Sequence, residues 1–178
     1  MLNYESQEFK SLEELRAIAP SIFTQMGSKD TSDKYTHIPT DQVIKDMELL
    51  GWGVVDAKEV KARKETTVGF QKHLVVFRNN DVVIHGEDGD TVFPQVLLTN
   101  SHDGKNSFQF TAGLFRMICE NGLVIATDTF EDIKIRHMGY DFSTLQDTIK
   151  EMVEKLPLTV EAMNKMKDIE LKEEQMFD

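Results

Sequence analysis

Six extended runs follow one another through the middle of the chain, and they limit its fold more than any other feature. They are rich in β-branched and aromatic residues and read WGVVDAKEVKAR, TVGFQKHLVVFR, DVVIHG, TVFPQVLLTNS, SFQFTAGLFRMIC and GLVIATDTF. The separators, such as NND and GEDGD, are short and suit tight turns. Because such turns join antiparallel neighbours, residues 52–138 are predicted to form one curved antiparallel meander sheet.

Two helices are predicted before these runs. Ser11 opens a capping box with a glutamate three positions later, and the apolar stripe that follows predicts a helix from about 12 to 19. Thr40 is the expected N-cap of a second helix, which ends where Gly51 can adopt a left-handed conformation. Residues 12–50 are therefore predicted to be a helical N-terminal part.

The chain after the runs is predicted to be helical again, over residues 143–176. One apolar stripe stops at Pro157, and a further helix is expected from Thr159 toward Met176 because proline interrupts helices. This last helix has a thin apolar seam, which favours packing on its own sheet, with docking on a partner or second subunit as the alternative. The predicted fold class is α+β, with helices packed on the sheet and flanking the strands in one domain, residues 1–178.

Charge and cysteine content limit the compartment and the partners. The 178 residues have a formal net charge of -11, a single cysteine and no apolar run of membrane-spanning length. The first residues, MLNYESQEFKSLEEL, lack a cationic leader, so we expect a cytoplasmic protein that does not enter a membrane. The acidic balance opposes general phosphate binding and favours a basic partner.

No catalytic motif with a defined mechanism occurs in the sequence: there is no phosphate loop, CxxC, HExxH or GxSxG. We therefore predict no catalytic residue, no metal and no cofactor, and a binding protein is favoured over an enzyme. His102 with Asp103 suggests an acid–base or metal pair, but a turn role is favoured because strand neighbours point to opposite faces.

Cys119 is interpreted as a buried apolar residue, with a thiol–imidazole pair to His137 as the alternative. Arg116 is expected to be at least half buried and paired with Asp103.

The segment LLTNSHDGKNSFQFTAGLFRMICENGLVI, followed by IKIRHMG, resembles the central signature of a phage- and plasmid-associated family, domain-of-unknown-function family 932. The residues that carry this resemblance are Asn100, Ser101, His102, Asp103, Gly104, Gly113, Leu114, Phe115, Arg116, Cys119, Asn121, Gly122, Arg136 and His137. The resemblance implies family membership and a bacterial host cell, without a mechanism. We interpret the signature residues as structural.

A second resemblance lies upstream, where an N-capped helix ends in Leu-Gly-Trp before strands rich in basic residues. This arrangement is similar to the opening of single-strand annealing proteins of homologous recombination, which form rings with a basic groove for extended DNA. It implies that the chain binds single strands as an oligomer, with Trp52 stacking on bases. The predicted contacts are Trp52, Lys58, Lys61, Arg63, Lys64 and Lys72, with Lys61 and Arg63 at the centre. The alternative is an edge strand whose lysines prevent unwanted pairing.

Two classes of function follow from these observations. The first is a phage- or plasmid-encoded protein that binds or anneals single-stranded DNA in recombination. The second is an acidic interaction or inhibitory module that acts on a host protein, since an acidic surface attracts basic partners and repels DNA. A hydrolase or metal enzyme built on His102, Asp103 and His137 is the least favoured class.

Overall fold

The computed structural model describes residues 8–27, 37–61, 68–85, 91–102, 108–117, 124–135 and 142–177. These residues form α-helices, one short 3-10 helix and β-strands. In chain order the elements are α1 (Leu12–Ile18), the 3-10 helix (Pro20–Phe23), α2 (Thr40–Leu49), β1 (Gly53–Glu59), β2 (His73–Arg78), β3 (Ile84–His85), β4 (Thr91–Val92), β5 (Gln95–Asn100), β6 (Phe108–Met117), β7 (Val124–Ile135) and α3 (Phe142–Phe177).

Five strands form an antiparallel sheet in the order β1-β2-β5-β6-β7, and β3 pairs with β4 in a separate two-stranded unit. The predicted α+β class with an antiparallel sheet is confirmed. The run predicted as one strand, TVFPQVLLTNS, contains both β4 and β5, with Pro94 between them. Proline has no N–H to donate to a ladder, which explains why the strand is divided there.

The two faces of the sheet differ in burial. Along β5, Val96 and Leu98 are buried, whereas Leu97 and Thr99 between them are partly exposed. The buried side belongs to one apolar cluster that joins sheet residues to all three α-helices: Leu15, Ile44, Phe77, Leu98, Phe110, Leu145 and Leu156. We call this side the covered face and the opposite side, which carries Leu97 and Thr99, the outer face. Burial of the covered face supplies most of the apolar stabilisation.

The start of α2 differs from the prediction. Pro39 occupies the N-cap position and provides no side-chain cap, and Thr40 is the first helical residue, with its side chain fully buried. The predicted N-cap role of Thr40 is therefore wrong, because its hydroxyl is engaged inside the protein. The predicted end of this helix is confirmed, since Gly51 has a φ of 91°.

Replacing Gly51 with alanine is expected to lower the free energy of unfolding by about 1 kcal/mol, because an L side chain is strained at positive φ. A Cβ at this position would also lie 3.1 Å from Asn79 Nδ2. Urea unfolding followed by Trp52 fluorescence measures the change. Lys45→Ala, at an exposed position of α2, is the control and should change stability little. An equal loss in both variants would contradict the conformational explanation.

The C-terminal region is one helix of 36 residues that contains Pro157, so the predicted break at this proline is wrong. An internal proline costs about 3 kcal/mol because it removes a backbone hydrogen bond and crowds the preceding turn. Val153, Leu156 and Val160 are buried on both sides of the exposed proline. Their packing on the core offsets that cost, so the helix continues through the proline. In the part of the chain that the structure describes, no helix is long and apolar enough to span a membrane.

Candidate functional site

Lys58 and Lys72 meet on the outer face at the β1 edge of the sheet. Lys58 is partly exposed and pairs with Leu74, and the Val60 N–H donates to the Lys72 carbonyl at 2.9 Å, which adds one more pair to the ladder. Opposite residues of an antiparallel pair share a face, so Lys58 and the exposed Lys72 are diagonal neighbours. The two lysines therefore form a small basic area.

The strand registers extend this area into a row across the whole sheet. Consecutive pairings give the lysine row, which consists of Lys58, Leu74, Thr99, Gln109 and Lys134. The first four residues are partly exposed, and strand spacing makes the row about 19 Å long. The neighbouring row has carboxylates at its ends and consists of Asp56, Val76, Leu97, Thr111 and Asp132. The register therefore places lysines at both ends of one row of the sheet and aspartates at both ends of the neighbouring row.

Of the other predicted nucleic-acid contacts, the two that the structure describes, Lys61 and Trp52, do not join this area. Lys61 is exposed just beyond β1, where alternation directs it toward the opposite face from Lys58. Arg63 and Lys64 lie outside the described residues. Trp52 is 1% exposed and belongs to the core. Its backbone N–H donates to the Met47 carbonyl at 2.9 Å. The predicted stacking role of Trp52 is wrong, because no base can reach the ring.

A buried polar network lies on the covered face around His73. This ring is 1% exposed, and its two nitrogens lie 3.0 Å from Ser21 Oγ and 2.6 Å from Thr40 Oγ1. Nδ1 is also 3.3 Å from the Gln71 carbonyl, which can only accept, so the proton is placed on Nδ1. Nε2 then accepts from the Thr40 hydroxyl. Both ring nitrogens are thereby satisfied, as buried polar atoms require.

Asn100 completes the network from the next strand. The register places it directly opposite His73, and its Nδ2 donates to the Ile38 carbonyl and to Thr40 Oγ1, each at 2.9 Å. Asn100 is fully buried. A chain of donors therefore runs from Asn100 through Thr40 to His73, and it joins β5, the start of α2 and β2. The 3-10 helix is attached through Ser21, whose hydroxyl contacts His73 and whose backbone N–H donates to Glu59 Oε1 at 2.8 Å.

Two more histidines pack against this network. The His102 ring is fully buried, and its centroid lies 4.5 Å from that of His37 and 5.2 Å from that of His73. The backbone N–H of His102 donates to the Phe70 carbonyl at 3.0 Å. The ring of His37 donates through Nε2 to the Thr24 carbonyl at 3.1 Å. His102 therefore serves as packing beside the end of β5. Its hairpin neighbours Asp103 and Gly104 lie outside the described residues.

His37, His73 and His102 stabilise the fold through contacts inside the protein. His73 uses both nitrogens within the protein, and the described residues contain no group of three or more His, Cys, Asp or Glu side chains arranged to hold a metal ion. The sequence singled out His102 but not His37 or the buried role of His73. The available signal was a histidine at the start of an apolar strand, which alone does not reveal partners 33 and 52 residues away.

Arg78 is another buried polar residue that no sequence pattern indicated. It ends β2, is 1% exposed, and its guanidinium carbon lies 4.6 Å from the centroid of the Phe93 ring. Burial lowers the pKa of the Arg78 guanidinium from its usual value. A cation over an aromatic face is attracted by the ring quadrupole, so Arg78 attaches the segment before β5 to the sheet.

Comparison with known proteins identifies the family. The family described as "Domain of unknown function (DUF932)" matches residues 29–177, which is most of the chain. The chain belongs to this family. In Escherichia coli (strain K12), "UPF0380 protein YafZ" is 32% identical over 127 residues and "UPF0380 protein YfjQ" is 31% identical over 127 residues. No solved structure matches the chain.

The DUF932 chain is much shorter than the two relatives from Escherichia coli. Each alignment covers 71% of this chain but 44% of the relative, so the chain spans less than half the length of these two proteins. The DUF932 match includes His37, Thr40, His73, Asn100 and His102, and it begins after α1 and the 3-10 helix. The buried network therefore lies almost entirely within the family region.

The remaining residues of the predicted DUF932 signature are placed only in part. Gly113 is buried in β6, and the backbone of Arg116 belongs to the same strand. Cys119, Asn121, Gly122, Arg136 and His137 lie outside the described residues, as does the Arg116 side chain. The predicted pairing of Arg116 with Asp103 and the interpretation of Cys119 therefore stay predictions.

Proposed function

We propose that this DUF932 chain binds single-stranded nucleic acid across the outer face of its sheet. The observation that carries the proposal is the lysine row, in which lysines stand at both ends and Lys72 lies beside one of them. Lysine ammonium groups neutralise phosphates, and this electrostatic contact supplies most of the affinity in binding without sequence preference.

The residues between the lysines suit a single strand. Leu74 offers an apolar contact for a base, and Thr99 and Gln109 can donate to and accept from base edges. A row about 19 Å long accommodates a few nucleotides. The partly exposed Asp56 in the neighbouring row repels phosphate and favours a path along the lysine row. The net charge of -11 restricts binding to this face and makes it weak and sensitive to salt.

A salt titration of binding to a fluorescently labelled poly-dT oligonucleotide tests the proposal. For single strands the logarithm of affinity falls with the logarithm of salt by about 0.7 per phosphate neutralised, so three lysines predict a slope of about -2. Lys58→Glu with Lys72→Glu should weaken binding at low salt by roughly tenfold or more and make the slope shallower than about -1. Annealing of two complementary strands, measured in the same buffer, should fall in parallel.

The control is Lys45→Glu with Lys155→Glu, which makes the same change in net charge at exposed positions of α2 and α3. This variant should keep most of the binding, because its lysines lie on the helices and not on the outer face. Absence of binding by the unchanged protein at low salt would refute the proposal. Equal loss in the two double variants would show that net charge, and not the lysine row, controls binding.

A further inference from the structure

A surface groove separates α2 from α3 on the helical side of the molecule. Its volume is about 480 Å³, and Val43, Leu50 and Ile149 provide its apolar wall. Leu49, Asp46 and Asp147 also line it. The groove lies on the side of the sheet opposite the lysine row, because both helices pack on the covered face. The proposed nucleic-acid site therefore does not account for it.

Leu49 gives the groove an apolar rim. Its side chain is 86% exposed, more than any other large hydrophobic residue that the structure describes. A single exposed leucine is common on protein surfaces, but this one continues directly into the apolar wall formed by Leu50 and Val43. A partner that covered both the rim and the wall would gain the free energy of removing that apolar surface from water.

The acidic side of the groove consists of Asp46 and Asp147. Asp46 accepts hydrogen bonds from Gln42 Nε2 at 2.9 Å and from Gln146 Nε2 at 2.7 Å, so two neutral amides fix the carboxylate in position. Among the residues that the structure describes, no lysine, arginine or histidine lies within ion-pair distance of Asp46 or of the exposed Asp147. Lys150 also lines the groove but does not reach either carboxylate within that distance. A cation from a partner would find a preorganised acceptor here.

We propose that this groove docks a segment of a protein partner in which a large apolar side chain stands next to lysine or arginine. The apolar side chain occupies the space against Leu49 and Leu50, and the cation lies beside Asp46 and Asp147. Charge complementarity selects this occupant, since no described cation lies within ion-pair distance of either carboxylate and the whole chain carries a charge of -11. The same carboxylates repel nucleic acid, so the groove and the lysine row bind different partners.

Selection from a phage-displayed library of random dodecapeptides on the full chain tests this proposal. Enriched peptides should contain lysine or arginine beside leucine, phenylalanine or methionine. A synthetic peptide with the most frequent sequence is then titrated by calorimetry against the unchanged chain and three variants. Leu49→Glu and Asp147→Lys should each weaken its binding by tenfold or more. Leu158→Glu is the control, because Leu158 is also exposed, at 66%. It lies on α3 more than two turns beyond Lys150, the last residue of that helix that lines the groove.

Two results would overturn the proposal. One is a library that yields no enriched sequence or yields acidic ones. Another is a peptide that binds the Leu49→Glu variant as tightly as the unchanged chain. Binding of the poly-dT oligonucleotide by Leu49→Glu is measured in parallel and should be unaffected, so a failure of the groove is distinguishable from a failure of the nucleic-acid site.

Discussion

Replacing Trp52 with alanine is expected to lower the free energy of unfolding by about 3–5 kcal/mol, the usual cost of truncating a buried aromatic residue. Trp52 is 1% exposed and is among the largest side chains that the core encloses completely. It follows the turn at Gly51 directly and connects the end of α2 to β1. The loss combines the transfer of an indole ring to water with the cavity left behind. For a domain whose total stability is about 5–15 kcal/mol, this is a large fraction.

The matched control for Trp52→Ala is Leu49→Ala, three positions earlier at the end of α2. Leu49 is 86% exposed, so its truncation should change stability by no more than about 0.5 kcal/mol. Urea unfolding followed by circular dichroism measures both, since the variant lacks the only tryptophan. Near-native stability of Trp52→Ala would contradict the burial of this ring, and it would restore the stacking role that the sequence suggested.

The secondary structure was largely predictable because it depends on local patterns. Alternation and turn residues indicated the strands, and the capping box at Ser11 is formed, with Glu14 N–H donating to Ser11 Oγ at 3.2 Å. The errors occurred where tertiary contacts override local preference. Pro157 remains in a helix because neighbouring residues are buried, and Thr40 is drawn inward by His73 and Asn100.

The candidate sites were less predictable because they depend on which residues of distant segments meet. The lysine row joins residues from four pairings, and a shift of one position in any of them would move a lysine to the other face. The sequence grouped Lys58, Lys61 and Lys72 by proximity, whereas alternation separates Lys61 from the other two. Trp52 was expected at the surface because an aromatic beside basic residues is typical of nucleic-acid sites, and that signal does not report burial.

Acidic residues occur at both candidate surfaces of the chain. Aspartates stand at both ends of the row next to the lysine row, and Asp46 and Asp147 line the groove between the helices. A chain with this distribution would repel nucleic acid from its helical side and admit it only on the outer face. Peptide binding and nucleic-acid binding should therefore be compatible, and saturating peptide should not displace a bound oligonucleotide.

The buried network is expected to behave as one unit. His73→Phe keeps the ring shape but leaves the hydroxyls of Ser21 and Thr40 without their nitrogen partners, at an expected cost of about 2–4 kcal/mol. Thr40→Val removes the hydroxyl between His73 and Asn100 and should cost about 1–3 kcal/mol. Because both changes break the same 2.6 Å contact, the double variant should be more stable than the sum of the two losses predicts.

The free energy of unfolding of the four proteins of this cycle, measured in urea at pH 7.5, gives the coupling directly. We expect a coupling of about 1 kcal/mol or more, since neighbouring hydrogen bonds in a buried chain polarise one another. Thr148→Val is the control for the loss of a threonine hydroxyl, because Thr148 Oγ1 donates only to the Thr144 carbonyl on the surface of α3. Combined with His73→Phe, this control should give additive losses. Additive losses for Thr40→Val as well would mean that Thr40 and His73 stabilise the fold independently, in spite of the contact between them.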